Sequence, residues 1–139
     1  MFSVRHNWVA IAVAWLVYFV LGGLWFTVLK APWLVGVGRT EAQIMAVGVS
    51  SAVTYGSAAL TTLVLAVFLS WVIQATGAPT AARGVKVAGL VWLGAIFTTW
   101  STEYAFEARS LEGLAITTGY CLVGMVLMGA ILGGWKKRA

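Results

Sequence analysis

Between Glu41 and Arg83 the sequence carries no charged side chain, and this uncharged stretch limits the folds that are open to the chain. A helix over 41–76 would be about 54 Å long at 1.5 Å per residue. The hydrocarbon core of a bilayer is only about 30 Å thick. We therefore expect a transmembrane helix that tilts, bends or projects at one end, with Gly48 as the candidate bend point.

Three further runs without charge flank this stretch. They contain 24, 16 and 23 residues and lie between Arg5 and Lys30, between Lys86 and Glu103, and between Glu112 and Lys136. About 20 apolar residues are needed to span a bilayer as a helix, so the 16-residue run is short. We expect Lys86 to extend along its own stem to the interface and Glu103 to lie at the membrane boundary.

The composition supports a lipid environment for these runs. Apolar residues make up 61% of the chain and charged residues only 9%, whereas soluble domains carry about 25% charged residues. The predicted fold is therefore an all-α membrane protein, a four-helix transmembrane bundle of up-down-up-down topology. It forms a single transmembrane domain over 1–139, with helices at approximately 7–29, 41–76, 84–104 and 111–135.

Residues that start and stop helices agree with these bounds. Asn7 and Ser110 precede the first and last runs as N-caps, and Thr40 with Gln43 forms the pattern of a capping box. Pro32 ends the first helix because it cannot continue the hydrogen-bond ladder. The first run is longer than the apolar core of a signal peptide, so we expect it to be retained.

The distribution of basic residues predicts the orientation. One side of the four-span topology carries six basic residues and no acidic one: Arg5, Arg83, Lys86, Lys136, Lys137 and Arg138. The other side carries only Lys30, Arg39 and Arg109, together with all four glutamates. Positive charge stays in the cytoplasm. Both termini are thus predicted to be cytoplasmic, in a multi-pass protein of the bacterial cytoplasmic (inner) membrane.

The basic residues also bear on the partners. They lie at the ends of apolar runs, which favours contact with anionic membrane lipids over nucleic acid. Small residues recur every four positions in the second and fourth runs, at Gly48, Ala52, Gly56, Gly129 and Gly133. Such stripes let helix backbones approach closely. The spacing does not distinguish packing within the chain from packing between chains.

The second run also carries hydroxyl side chains, among them Ser50, Thr54, Ser57, Thr61 and Thr62. A polar path for a solute is one interpretation. The favoured interpretation is that these hydroxyls bond to carbonyls of their own or a neighbouring helix, as is common where helices pack tightly.

Ionisable side chains concentrate in one place near a span, at Glu103, Glu107, Arg109 and Glu112. Glu103 and Glu107 would share a helix face, and Arg109 could neutralise one of them. The cluster is a candidate site for an ion or ligand, with Tyr120 at membrane depth as a further candidate. The favoured alternative is an ion pair that shapes the turn between two helices.

The sequence predicts no catalytic residues and no metal site. It lacks a nucleophile paired with a base, a phosphate-binding glycine loop and a cluster of metal ligands. His6 is the only histidine and Cys121 the only cysteine, so bis-histidine haem within one chain and an intrachain disulfide are excluded, and a ligand role for His6 would need a second chain. The identity of any cofactor stays unknown, because lipids, quinones and pigments bind between helices with few diagnostic residues.

Short motifs in a fixed order resemble a known family. They are NW (Asn7 and Trp8), LGGLWF (Leu21 to Phe26), RTEAQI (Arg39 to Ile44), FEARS (Phe106 to Ser110), ITTGY (Ile116 to Tyr120) and MGAILGGW (Met128 to Trp135). Together they resemble the membrane family called domain of unknown function 1761. The resemblance implies a small four-helix membrane protein and no assigned activity. It also implies an asparagine where this chain has Thr117 or Thr118, and a proline where it has Ser110.

Two function classes follow. The first is a small membrane interaction protein without chemistry of its own, either an accessory subunit of a larger membrane assembly or a self-associating bundle. The second is a small oligomeric transporter or channel, with Glu103, Glu107 and Arg109 at its outer mouth. We favour the first, and we expect the partners to be membrane lipids, other membrane chains or further copies of this chain.

Overall fold

The computed structural model describes residues 4–77 and 79–135. Within these ranges the chain forms six helices and no strand. They are α1 (Trp8–Val28), α2 (Lys30–Val37), α3 (Glu41–Ala46), α4 (Ser51–Ala75), α5 (Ala81–Phe106) and α6 (Leu111–Gly134). Four of them, α1, α4, α5 and α6, are long and apolar enough to cross a membrane. The all-α prediction with four apolar helices is confirmed, and these helices indicate a membrane protein.

Side-chain caps define where most of these helices begin. Asn7 accepts a hydrogen bond from the Ala10 amide at 3.2 Å, and Ser110 accepts one from the Gly113 amide at 3.1 Å. Thr40 and Gln43 form both bonds of a capping box at the start of α3. Each cap satisfies an amide that the first helical turn leaves without a partner.

The connection after α1 shows how Pro32 acts. A proline clashes with the carbonyl of the residue four positions earlier, which here is Val28, the last residue of α1. The chain does not leave the helical conformation for long, because α2 begins at Lys30 and contains Pro32 in its first turn. A first turn has free amides in any case, so a proline costs little there.

The predicted helix over 41–76 is wrong as a single helix. The chain leaves the helical conformation after Ala46, and Gly48 adopts a left-handed backbone with φ of 79°. Ser50 then starts α4 by accepting a hydrogen bond from the Val53 amide at 3.2 Å. Gly48 is thus a break and not a bend, which leaves α4 with 25 residues, close to the length of one membrane span.

The third span is longer than its uncharged run. Thr80 caps α5 by accepting from the Arg83 amide at 3.1 Å, so the helix begins at Ala81, three residues before the predicted start at 84. It ends at Phe106 and is 26 residues long. Its middle, Trp92–Phe97, is a π-helical stretch. The basic residues Arg83 and Lys86 therefore lie in the first turns of the span.

The four long helices alternate in direction. His6 Nδ1 lies 3.1 Å from Ser70 Oγ, whereas Trp15 donates to the Ala59 carbonyl, so α1 and α4 run antiparallel. At one end of the bundle, Asn7 donates to the Trp135 carbonyl at 3.4 Å. We call this the terminal end and the opposite one, with the turns after α1 and α5, the loop end. Lys136, Lys137 and Arg138, which contribute to the predicted orientation, lie outside the described residues.

The core lies towards the terminal end, with α6 against both α1 and α5. Its buried side chains belong to α1, α4, α5 and α6: Ala10, Ile11, Ala14, Tyr18, Ala66, Leu69, Ile73, Ala88, Met125, Met128 and Leu132. Glycines allow the closest approaches. A Cβ on Gly124 would overlap the Tyr18 ring, and a Cβ on Gly129 would overlap the Gly84 carbonyl. Without these glycines α6 could not lie so close to its neighbours.

Candidate functional site

A cleft of about 660 Å³ lies between α1 and the first half of α4, on the loop-end side of the core. This volume falls in the range of about 300–1,000 Å³ that is usual for ligand pockets. Its lining residues come from α1, α2, α4 and α6: Tyr18, Phe19, Gly22, Gly23, Phe26, Thr27, Lys30, Trp33, Thr54, Tyr55, Ala58, Thr61, Thr62 and Tyr120. The cleft is the candidate functional site.

The cleft exists because α1 and α4 are packed together over only part of their length. Towards the terminal end their side chains share the buried core. The indole of Trp15 closes the cleft on that side, since it donates to the Ala59 carbonyl at 2.9 Å and to Thr62 Oγ1 at 3.1 Å. Beyond Trp15 the two helices separate, and every residue from Ser51 to Ser57 is exposed.

Tyr120 of α6 forms part of the cleft wall. Its ring centroid lies 4.8 Å from that of Tyr18 and 5.3 Å from that of Phe26. Its hydroxyl donates to the Tyr18 carbonyl at 3.3 Å. Gly22 permits this arrangement, because a Cβ at that position would lie 2.7 Å from the Tyr120 hydroxyl. The structure thus places Tyr120, a candidate from the sequence, in the cleft.

The threonine hydroxyls of α4 donate to carbonyls of their own helix. Thr61 Oγ1 lies 2.8 Å from the Ser57 carbonyl, and Thr62 Oγ1 lies 2.7 Å from the Ala58 carbonyl. Thr54 does the same with Ser50 at 3.2 Å. These are the bonds that the favoured interpretation of the sequence predicts for the hydroxyls of this helix. With their protons committed to the backbone, these oxygens can act only as acceptors towards a ligand.

Donors lie at the loop end of the cleft. Lys30 Nζ donates to Glu41 Oε1 at 2.5 Å and has two further N–H groups. Within residues 4–77 and 79–135, neither the Trp33 indole nor the Tyr55 hydroxyl has a hydrogen-bond partner. Lys30 is the one charged residue in the cleft lining of the described chain. The loop end of the cleft is therefore rich in donors, and its one ammonium group is shared with Glu41.

The predicted ionisable cluster is divided by the structure. Arg109 Nε contacts Glu107 Oε2, and the guanidinium lies 5.5 Å from the centre of the Tyr104 ring. Glu103 and Glu112 are exposed, and the described residues offer neither of them an ion pair. Tyr120 is not part of this group.

Glu107 and Arg109 form a tight turn between α5 and α6. Ala108 lies between them with φ of 51°, and the Arg109 amide donates to the Tyr104 carbonyl at 2.9 Å. Tyr104 is buried, and its hydroxyl contacts the Gly113 carbonyl at 3.2 Å and Thr117 Oγ1 at 3.0 Å. The geometry is that of an ion pair that shapes the turn.

The two stripes of small residues have different surroundings. A Cβ on Gly129 or Gly133 would overlap backbone atoms of α5 or of the residue that caps it. Gly48 and Gly56, in contrast, have nothing within 4 Å of an added Cβ, and Ala52 is exposed. The stripe of α6 therefore lies in a contact within the chain. Ala52 and Gly56 of α4 do not, and Gly48 precedes that helix.

Sequence reasoning missed Gly84, Trp15 and Lys30. Gly84 and Ala88 repeat the four-residue spacing of small residues and face Gly129, so this pattern was available as a signal. Trp15 and Lys30 gave no such signal, because their roles depend on where α4 and Glu41 lie relative to α1.

Metal ligands do not gather in the part of the chain that the structure describes. No three residues of the His, Cys, Asp or Glu types lie close enough there to hold an ion. His6 bonds to Ser70, and Cys121 is partly buried on α6 without a disulfide.

Comparison with known proteins identifies the family. The model of a protein family of unknown function, DUF1761, matches residues 9–133. No curated protein and no solved structure matches the chain. The match covers nearly all of the sequence and agrees with the resemblance seen in its motifs. The chain therefore belongs to the DUF1761 family.

Proposed function

We propose that this protein is a small membrane interaction protein, which associates with other membrane chains or with copies of itself and carries out no chemistry. The observation that carries the proposal is the exposure of α4 from Ser51 to Ser57. These seven residues form about two helical turns that expose every face. A partner helix can reach them without any rearrangement of the bundle.

The side chains of these two turns favour a protein partner over lipid alone. They include Ser51, Ala52, Thr54, Gly56 and Ser57, which are all small or hydroxyl-bearing. Contacts between membrane helices are enriched in such residues, because they allow close packing and van der Waals contact where lipid supplies no hydrophobic driving force. Surfaces that face only lipid have no need of them.

The proposal includes a location and an orientation. The protein lies in the cytoplasmic membrane of a bacterium with both termini in the cytoplasm, as the bias of basic residues predicts. The loop end of the bundle, with Lys30 and the turn at Ala108, then faces outwards. The exposed turns of α4, from Ser51 to Ser57, lie in the outer leaflet.

The alternative class, a small oligomeric transporter or channel, draws little support from the geometry. Arg109 pairs with Glu107 in a turn, and Glu103 is exposed apart from them. The hydroxyls of α4 bond to their own helix. Both the charged residues near the turn and the hydroxyls of α4 therefore fit a structural role better than an ion path.

Cross-linking in the native membrane tests the proposal. In a Cys121→Ala background, we would introduce Gly56→Cys on the exposed turns of α4 and, as a matched control, Leu24→Cys on α1. Leu24 is also exposed, at 62%. Each cysteine is labelled with a thiol-reactive benzophenone, which on irradiation cross-links to a neighbouring chain through its C–H bonds and so needs no cysteine there. We expect a cross-linked species from Gly56→Cys and none from Leu24→Cys. Mass spectrometry then identifies the partner as a second copy or another chain.

Equal cross-linking from both positions, or none from either, would contradict association through α4. Ion flux into liposomes that contain the purified protein is the complementary measurement. Flux that Glu103→Gln or Glu107→Gln abolishes would favour the transporter instead.

A further inference from the structure

We infer that the cleft between α1 and α4 binds one membrane phospholipid with an anionic headgroup, which lies with its phosphate at Lys30 and an acyl chain towards Phe19. Thr54 and Tyr55 line the cleft and also belong to the exposed turns of α4, whereas Gly56, the position used to test association, does not line it. Shape, charge and the distribution of polar groups along the cleft carry this inference.

The two ends of the cleft differ in polarity in the way that a lipid requires. At the loop end lie Lys30, Trp33 and Tyr55, each with at least one N–H or O–H that the described residues leave free. Towards the core the lining includes Phe19 and Ala58, and the hydroxyls of Thr61 and Thr62 there are bonded to carbonyls of their own helix. An amphipathic ligand fits with its polar part at the helix ends and its apolar part at membrane depth, which is the orientation of a lipid in a leaflet.

The charge of the lining selects an anion. Lys30 is its charged residue, and Glu41, which pairs with Lys30, does not line the cleft. An ammonium group has three donors, so Lys30 can hold Glu41 and a phosphate oxygen together. Hydrogen bonds between charged groups are about twice as strong as neutral ones.

The cleft wall suits an acyl chain. Gly23 exposes the α1 backbone, since an added Cβ there would meet nothing within 4 Å, whereas the neighbouring Gly22 is covered by Tyr120. The rings of Phe26 and Tyr120, which also line the cleft, pack edge to face against each other with their centroids 5.3 Å apart. A flexible chain can lie along a wall of this kind without displacing any side chain.

Native mass spectrometry of the full chain in mild detergent, titrated with phosphatidylglycerol, tests the site. We expect one retained lipid on the wild type. Two changes should weaken retention about tenfold, which corresponds to the loss of one charge-assisted hydrogen bond or of the acyl-chain contacts. They are Lys30→Gln, which removes the cation, and Gly23→Phe, which fills the cleft.

Each variant has a matched control. Glu41→Gln breaks the same ion pair as Lys30→Gln but keeps the cation, so retention should persist. Gly94→Phe adds the same ring on α5, where an added Cβ also meets nothing within 4 Å, and it should bind like the wild type. Phosphatidylcholine, whose phosphate is balanced by its own choline, should be retained less than phosphatidylglycerol.

Three results would overturn the inference. The first is equal retention by Lys30→Gln and the wild type. The second is equal loss in Lys30→Gln and Glu41→Gln, which would assign Lys30 a structural role only. The third is equal retention of both lipids, which would remove the requirement for a negative headgroup.

Discussion

Gly84 and Gly129 lie backbone against backbone, so that a Cβ on either residue would overlap the carbonyl oxygen of the other. This contact joins α5 to α6 near the terminal end. Ala88 extends it, since a Cβ on Gly129 would lie 2.9 Å from the Ala88 Cβ. Backbone atoms cannot move aside as a flexible side chain can, so any larger residue here must separate the two helices.

Gly84→Val is therefore expected to destabilise the bundle by about 2 kcal/mol or more, as overpacked sites do. The measurement is the thermal unfolding midpoint of the purified protein in detergent. Gly89→Val is the control, because Gly89 lies five residues further along the same helix and has nothing within 4 Å of an added Cβ. If both variants unfold at the same temperature, the close approach of α5 and α6 is not what stabilises the bundle.

In the turn between α5 and α6, we expect a substitution by glycine to raise the stability of the protein instead of lowering it. Ala108 has φ of 51°, a left-handed conformation that costs a residue with a Cβ roughly 1–2 kcal/mol. Ala108→Gly removes that cost, although the freer unfolded chain offsets part of the gain. We expect a rise in the unfolding midpoint.

The same substitution inside a helix should have the opposite effect. Ala12 is exposed in the second turn of α1, past the capped first turn, so Ala12→Gly is expected to cost about 1 kcal/mol. A fall in the midpoint for Ala108→Gly would show that the left-handed turn does not form.

Tyr104→Phe tests the anchor of the same turn. The Tyr104 side chain is 3% exposed, and its hydroxyl contacts the Gly113 carbonyl and Thr117 Oγ1. Loss of the hydroxyl should cost about 1 kcal/mol, because a buried acceptor loses its donor. Tyr55→Phe is the control, since Tyr55 is 65% exposed. Equal stability of the two variants in urea or detergent unfolding would mean that the Tyr104 bond contributes nothing.

The sequence was sufficient to predict those parts of the fold that depend on neighbouring residues. Asn7, Thr40 with Gln43, and Ser110 cap their helices as their patterns indicate, because a cap involves only three or four successive residues. Ser50 is a cap of the same kind, and together with Gly48 it is the local signal that separates α3 from α4.

Most of the candidate site could not be predicted from the sequence. The cleft depends on the angle at which α4 departs from α1 beyond Trp15, and no local pattern encodes that angle. Of the proposed site residues, Tyr120 lines the cleft, whereas Glu107 and Arg109 form the turn at Ala108. Glycine stripes are visible in a sequence, but their partners depend on which helices become neighbours, as Gly129 and Gly56 show.

We expect the contribution of the Glu107–Arg109 pair to stability to depend on the salt concentration. The two side chains are 44% and 27% exposed, so the pair is partly open to solvent. Ion pairs of this kind contribute from 0 to about 1 kcal/mol, and Glu107→Gln should destabilise the protein by no more than that. Since charges are screened over about 3 Å at 1 M salt, the difference from the wild type should become smaller there.

Glu103→Gln is the matched control for this pair. Glu103 lies four residues earlier and is exposed, and the described residues give it no cationic partner. Its substitution should leave the unfolding midpoint unchanged at low and at high salt. A loss of stability in Glu103→Gln equal to that in Glu107→Gln would mean that both glutamates face Arg109, as a continuous helix through the turn would require. In that case the turn at Ala108 would not be the native connection between α5 and α6.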